Sequence, residues 1–277
     1  MSADHAPLES LSTLLAQRRT EGACVFYDVD ESWQQGRTLF GGLLSALAVQ
    51  AMRDVCGADW PLRALQTSFV GPVAAGRFEI EVHLLRQGKN VRQVQAHIRQ
   101  GHSGGPGAVA GVLLAVFGTG RESQVPVLTV PVPQAAATLE QAVQMPYLPG
   151  LTPAFTQHFE YRLAEGAYPF MGADTWLSRA HVRLKQAEGI DSELLTVMFA
   201  DVGPTPALAT LRAPAPASSV SWALELRPVG TPAADAWWRM DKEALATGEG
   251  YVNEKTTLWT PDGQLAALGY QVVAVYA

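Results

Sequence analysis

Cysteine is scarce in this chain of 277 residues: Cys24 and Cys56 are the two present, and no short spacing links them. Two cysteines make neither a disulfide framework nor a four-ligand zinc site, which suits a reducing compartment. The N-terminal stretch MSADHAPLES has no charged start followed by an apolar run, and no segment reaches membrane-spanning length, so the expectation is a cytoplasmic protein without a membrane span. Basic blocks are missing too. With a formal net charge of -6, the chain is not expected to bind nucleic acid. The six histidines (His5, His83, His97, His102, His158, His181) are scattered, with no H-x-x-x-H or H-x-x-E-H pair, so no metal centre is expected from local sequence. Neither a G-x-G-x-x-G nor a phosphate-loop motif occurs, and no cofactor is expected.

One catalytic motif does fit. GHSGG, Gly101 to Gly105, matches G-x-S-x-G, which in many hydrolases places a serine nucleophile between a strand and a helix. The context argues against it. Gly104, Gly105, Pro106 and Gly107 follow Ser103 and lead into a strand-like apolar run, so the stretch reads as a hairpin loop. Asp174 and His181, which could complete a serine triad by order, fall on a strand and its approach.

The rest of the chain states one pattern twice. Leucines at 8, 11, 14 and 15 predict a short amphipathic helix. GACVFYDVD predicts a strand. GRTLFGGLLSALAVQAMRDV predicts a helix buried on nearly all sides, opened by Gly41 and Gly42. RALQTSFVGPV predicts a strand, RFEIEVHLLRQGKNVRQVQAHIRQ an antiparallel hairpin of period-two alternation, and GAVAGVLLAVFG a central strand. Residues 121 to 153 hold six prolines (Pro126, Pro131, Pro133, Pro146, Pro149, Pro153) and read as a linker with one short helix at Ala135 to Val143. Beyond it come two strands, FTQHFEYRL and TWLSRAHVRLK, then the apolar helix DSELLTVMFADVG. A strand SSVSWALELRPVG, a hairpin around Gly248 to Gly250 and a closing strand QLAALGYQVVAVY complete the order. Helix, strand, hairpin and last strand thus recur at roughly 150 to 160 residues. The fold expectation is α+β: a tandem pair of antiparallel sheets, each wrapped around a long apolar helix, able to pair at their edges. The expected units are residues 1–125, a linker at 126–153, and residues 154–277.

Laid out this way, the sequence resembles the acyl-CoA thioesterase II family of double-hotdog proteins. RTLFGGLLSALAVQA, SFVGP and LLRQGKNVRQVQAHI carry the resemblance in the first half; FADVGPTP, SSVSWALELRP and GYVNEKTTLWTPDGQLAALGYQ carry it more loosely in the second. The resemblance implies hydrolysis of acyl-CoA to free acid and CoA, in fatty acid metabolism, by a small-molecule enzyme forming a homo-oligomer such as a dimer. It also implies a water held by an Asp, a Thr or Ser, and a Gln. Asp201 and Gln271 match the first and last. The hydroxyl is Ser218 if counted back from Arg227-Pro228, or Ser219 if the family's T-x-D is laid on Ser219-Val220-Ser221, where Ser stands in place of Asp. A carboxylate can take the water's proton while hydroxyl and amide orient it. Backbone N–H groups at Gly41 and Gly42 are candidates to meet the substrate's developing oxyanion. Arg86 and Lys89, with Arg37 and Arg92, are candidates for CoA phosphates. Trp176, Trp222, Trp237, Trp238 and Trp259 read as core or inter-sheet packing. Two other readings stand beside hydrolysis: a non-catalytic acyl-binding protein, and a hotdog enoyl hydratase or dehydratase, which would need a histidine with a carboxylate.

Overall fold

A computed structural model describes residues 8–57, 59–101 and 107–277. The GHSGG motif, Ser103 included, lies outside the described residues apart from Gly101. In the first half, helix α1 (Leu11–Gln17) precedes strands β1 (Arg19–Glu21) and β2 (Cys24–Val29), a 3-10 turn, and the short strands β3 (Gln34–Gln35) and β4 (Thr38–Leu39). Helix α2 (Gly41–Cys56) follows, then β5 (Leu62–Phe69), β6 (Gly76–Gln87), β7 (Val91–Gln100) and β8 (Ala108–Gly118). The second half runs β9 (Val143–Met145), β10 (Phe159–Glu165), β11 (Leu177–Leu184), α3 (Ser192–Asp201), β12 (Ala217–Leu226), β13 (Trp238–Gly248), β14 (Tyr251–Trp259) and β15 (Leu265–Val275). No helix among the described residues is long and apolar enough to cross a membrane.

Two expectations need correction here. Apart from the β3–β4 ribbon, the described strands form one antiparallel sheet of 13 rather than two, in the order β1-β2-β6-β7-β8-β5-β12-β15-β14-β13-β11-β10-β9. The join is β5 against β12, with Thr67 opposite Trp222 and Leu65 opposite Leu224. Each strand would otherwise leave a row of backbone donors and acceptors unpaired at an edge, and pairing the two edges satisfies both. The second correction concerns Ala135 to Val143, which holds turns leading into β9 rather than a helix.

Helix α2 sits inside the curved sheet because it is apolar on nearly every side: Leu43, Leu47, Val49, Ala51 and Met52 are each fully buried. Burying each large side chain stabilises by about 1.5 to 3 kcal/mol. Gly57 ends the helix in the left-handed region at φ 56° and returns its N–H to Arg53 O. Helix α3 packs antiparallel on α2, and the ends are matched in charge. Arg53, in the last turn of α2, meets Glu193 in the first turn of α3 at 2.6 Å. Of the tryptophans expected in the core, Trp222, Trp238 and Trp259 are buried, whereas Trp176 is 43% exposed. It immediately precedes β11.

The halves are also pinned by His158, whose ring stacks on Trp33 at 3.7 Å and whose Nε2 lies 2.8 Å from Ser32 Oγ. Burial lowers its pKa from 6.5 to about 4, so the folded chain holds it neutral. A depressed pKa means stability present above about 6.5 and lost as pH falls toward 4, since the unfolded chain binds the proton first. The expected loss is about 2 to 3 kcal/mol. Urea midpoints measured from pH 7 to 4 should fall less steeply for His158→Gln than for wild type; parallel curves would assign the ring no such role.

Candidate active site

The start of α2 faces the end of α3 where the two halves meet. Phe40, at the N-cap of α2, supplies no side-chain acceptor, so the first-turn N–H groups look outward at the positive end of the helix dipole. The Gly42 N–H lies beside the carboxylate of Asp201, the last residue of α3, and favours its ionised form. Glycine is required for this approach. A Cβ on Gly41 would come within 3.0 Å of Asp201 Oδ2 and 2.9 Å of Phe69 Cζ, and one on Gly42 would run into the Phe40 ring and the Met198 carbonyl.

Two strands of the second half complete the cluster. Gln271 on β15 donates through Nε2 to Asp201 Oδ1 at 2.9 Å and to Ser219 Oγ at 2.5 Å. An irregularity in β12 sets which of the two serines shares a face with Gln271. Trp222 lies opposite Gln271 and Ser221 opposite Val272, but the register then slips, so that Ser219 rather than Val220 lies opposite Val273. A bulge reverses the alternation beyond it, and Ser219 turns to the face that carries Gln271. Ser218 is exposed, and its hydroxyl reaches only the neighbouring Ser219 carbonyl at 3.5 Å. The structure therefore brings together Asp201, Gln271, Ser219, Gly41 and Gly42, and leaves Ser218 out.

It also leaves out Arg86 and Lys89. Their hairpin lies near the opposite end of α2, since Arg92, paired with Gln87, donates to the carbonyls of Cys56 and Gly57. A helix of 16 residues puts that end about 22 Å from Gly41.

Desolvation dominates the electrostatics of Asp201. It lifts the carboxyl from 3.8 to about 6, with nearby Glu254 adding to the rise. Lys242, the Gln271 amide and the Gly42 N–H oppose it and keep the rise moderate. Asp201 is partly exposed as a residue, and above pH 6 its carboxyl is ionised and able to accept a proton. The Gln271 carbonyl oxygen is buried and has no hydrogen-bond partner among the described residues. With both amide hydrogens committed, that oxygen is the acceptor left to orient a water's hydrogen.

Behind the trio lies a group that reading the sequence missed. Lys242 Nζ stands 2.7 Å from Glu254 Oε1, with the two side chains 2% and 0% exposed. The ammonium also donates to Gly203 O at 2.9 Å, two residues beyond Asp201. Neither Glu254 oxygen has a well-aimed hydrogen bond, so the attraction is of charge for charge. Glu254 in turn lies opposite Gln271 across the β14–β15 ladder. The signal was present in the chain. Lys242 falls in phase with buried Trp238 and Met240, and Glu254 in phase with buried Val252 and Leu258. Opposite charges on the apolar phase of two successive strands call for each other.

Residues 29–118 match the family model of the acyl-CoA thioesterase N-terminal domain, and residues 137–275 that of the C-terminal domain. No curated protein matches the chain. Among solved structures, a conserved protein of unknown function with a hot dog fold from Alicyclobacillus acidocaldarius is 19% identical; the match covers 95% of this chain and 97% of that one, at a TM-score of 0.81. The tesB protein of Mycobacterium avium subs paratuberculosis is 17% identical, covering 97% and 100%, at 0.77. An acyl-CoA thioesterase II of Mycobacterium marinum is 15% identical, covering 95% and 97%, at 0.71. At these identities the structures speak for the hotdog fold alone. The two family models together span most of the sequence, and the chain belongs to the acyl-CoA thioesterase family.

Proposed function

We propose that this protein hydrolyses acyl-CoA thioesters to free acid and CoA, using a water activated by Asp201 and oriented by Gln271 and Ser219. The observation that carries the reading is the double hydrogen bond of Gln271 Nε2, to Asp201 Oδ1 at 2.9 Å and Ser219 Oγ at 2.5 Å, beside an uncapped helix start. Asp201 takes a proton as the water oxygen bonds to the thioester carbonyl carbon. The carbonyl oxygen gains negative charge, which first-turn N–H groups of α2 stabilise. Collapse breaks the C–S bond, and the leaving thiolate takes up the proton that Asp201 accepted, which restores the carboxylate. No enzyme-bound acyl group is needed. We read residues 1–125 and 154–277 as two hotdog units joined by 126–153, with α2 from one and α3, β12 and β15 from the other framing a single site.

A hydratase or dehydratase reading finds less support, because no described histidine is hydrogen-bonded to Asp201, Gln271 or Ser219. The test is CoA release, followed with a thiol reagent, across saturated acyl-CoAs of increasing length. Wild type should turn over at least one, with kcat/KM rising as pH passes about 6, the value burial gives Asp201. Gln271→Ala should lower kcat by about 10²-fold. Absence of CoA release from every substrate would rule out the acyl-CoA reading.

A further inference from the structure

On the opposite face of the sheet from α2, Glu81 and His83 of β6 and His97 of β7 converge. Burial alternates along both strands, with Phe78, Ile80, Val82, Val94, Ala96 and Ile98 turned inward, so Glu81, His83 and His97 share the outer face. Glu81 lies directly opposite His97 in the ladder, and His83 is the next outward residue on β6. His83 Nε2 stands 3.3 Å from Glu81 Oε1, and His97 Nδ1 stands 4.0 Å from Glu81 Oε2. One ligand atom from each residue lies within 4.8 Å of the others. In a tetrahedral zinc site with bonds near 2.0 to 2.1 Å, ligand atoms lie about 3.3 to 3.4 Å apart. The His83–Glu81 pair already has that spacing, and the His97 ligand atom, within 4.8 Å of the other two, would close on them by rotation of its ring.

We propose that Glu81, His83 and His97 form a binding site for a divalent transition-metal ion of the zinc type, with the fourth position left to water. The donor set, two imidazoles and one carboxylate, suits zinc, and three protein ligands with an open fourth position is a zinc geometry. A cluster held only by ion pairing would have no need of a second histidine. Yet His97 Nδ1 is sheltered from solvent and has no hydrogen-bond partner among the described residues, while its ring meets that of His83 edge-on at 5.5 Å between centres. Arg99 fits as the outer support. Its Nε donates to Glu81 Oε2 at 3.0 Å and its Nη1 to Gly107 O at 3.3 Å, which fixes the carboxylate and leaves Oε1 turned to His83. Such outer hydrogen bonds orient metal ligands. The positive charge of Arg99 works against the ion, and Glu79, its cross-strand partner, offsets it. Because the site is on the far side of the sheet from Asp201, the ion bridges β6 and β7 without entering the thioester chemistry.

The experiment titrates Zn2+ into tag-free full-length protein by calorimetry and Co2+ by visible absorption. One equivalent should bind, with Co2+ giving the absorption of a low-coordinate site. His83→Gln and His97→Gln should each weaken binding at least about tenfold, while His181→Gln leaves it unchanged. The His83 side chain is 43% exposed, so its variant should fold, and circular dichroism checks this. CoA release should stay the same in His83→Gln, which separates this site from the active site. Failure of wild type to bind one equivalent, or binding that survives both histidine variants, overturns the proposal.

Discussion

Asp201→Asn is expected to abolish thioester hydrolysis and, above pH 6, to make the folded chain more stable. Loss of the base removes about 10² to 10⁴ of rate. The stability gain follows from the raised pKa. A carboxyl at about 6 in the folded chain and 3.8 in the unfolded chain favours folding in acid, and that contribution is lost as pH rises through 6. At pH 8 the ionised side chain therefore costs about 3 kcal/mol relative to its protonated form. Asparagine has the same shape without the charge. It recovers about 1 to 2 kcal/mol, short of the whole because an amide has one acceptor oxygen where the carboxylate has two. Urea unfolding of variant and wild type at pH 8 and pH 4 checks this. The variant should be the more stable at pH 8, and the advantage should vanish at pH 4. A variant less stable at both would mean that the carboxylate is comfortable in its pocket and that burial is not what tunes it.

The second large effect concerns Lys242 and Glu254. Lys242→Met leaves an unpaired carboxylate in the interior and should cost about 3 to 5 kcal/mol. The double replacement Lys242→Met with Glu254→Leu removes both charges, and most of that loss should return. Activity should not return with it. Lys242 Nζ holds Gly203 O at 2.9 Å, and without that tether the turn after Asp201 loses an anchor, so kcat should stay depressed while KM changes little. Thermal unfolding and steady-state kinetics on the two variants separate the outcomes. Full recovery of kcat in the double variant would show that the pair does nothing for the placement of Asp201.

These two predictions rest on residues that were unequally visible in the chain. Asp201 and Gln271 stand out through the family resemblance, and Gly41 and Gly42 through their place before an apolar helix. Lys242 and Glu254 sit in period-two strands where a charge on the apolar phase is the warning. Ser219 was not separable from Ser218, because a strand read from alternation alone has no bulge, and one extra residue exchanges the two faces. Arg86 and Lys89 are candidate phosphate ligands by charge, and charge says nothing about which end of a helix a hairpin adjoins.

The sequence by itself determined most local matters: where the long helices and strands lie, though not the helix expected at Ala135 to Val143, that the pattern repeats, and which helix is too apolar to be anywhere but inside. Periodicity and turn residues act over a few positions, so they can be read without knowing what packs on what. Tertiary structure decided everything that depends on register and on edges. The pairing of β5 with β12 made one sheet of two, the slip at Val220 turned Ser219 to the face of Gln271, and the facing ends of α2 and α3 set a carboxylate from one half against the N–H groups of the other. The same is true of His83 and His97, which are 14 residues apart in a chain without any metal-binding spacing and meet because a hairpin folds them onto one face. Contacts between distant residues are fixed by backbone pairing and burial over the whole fold, and no short stretch of sequence carries that information.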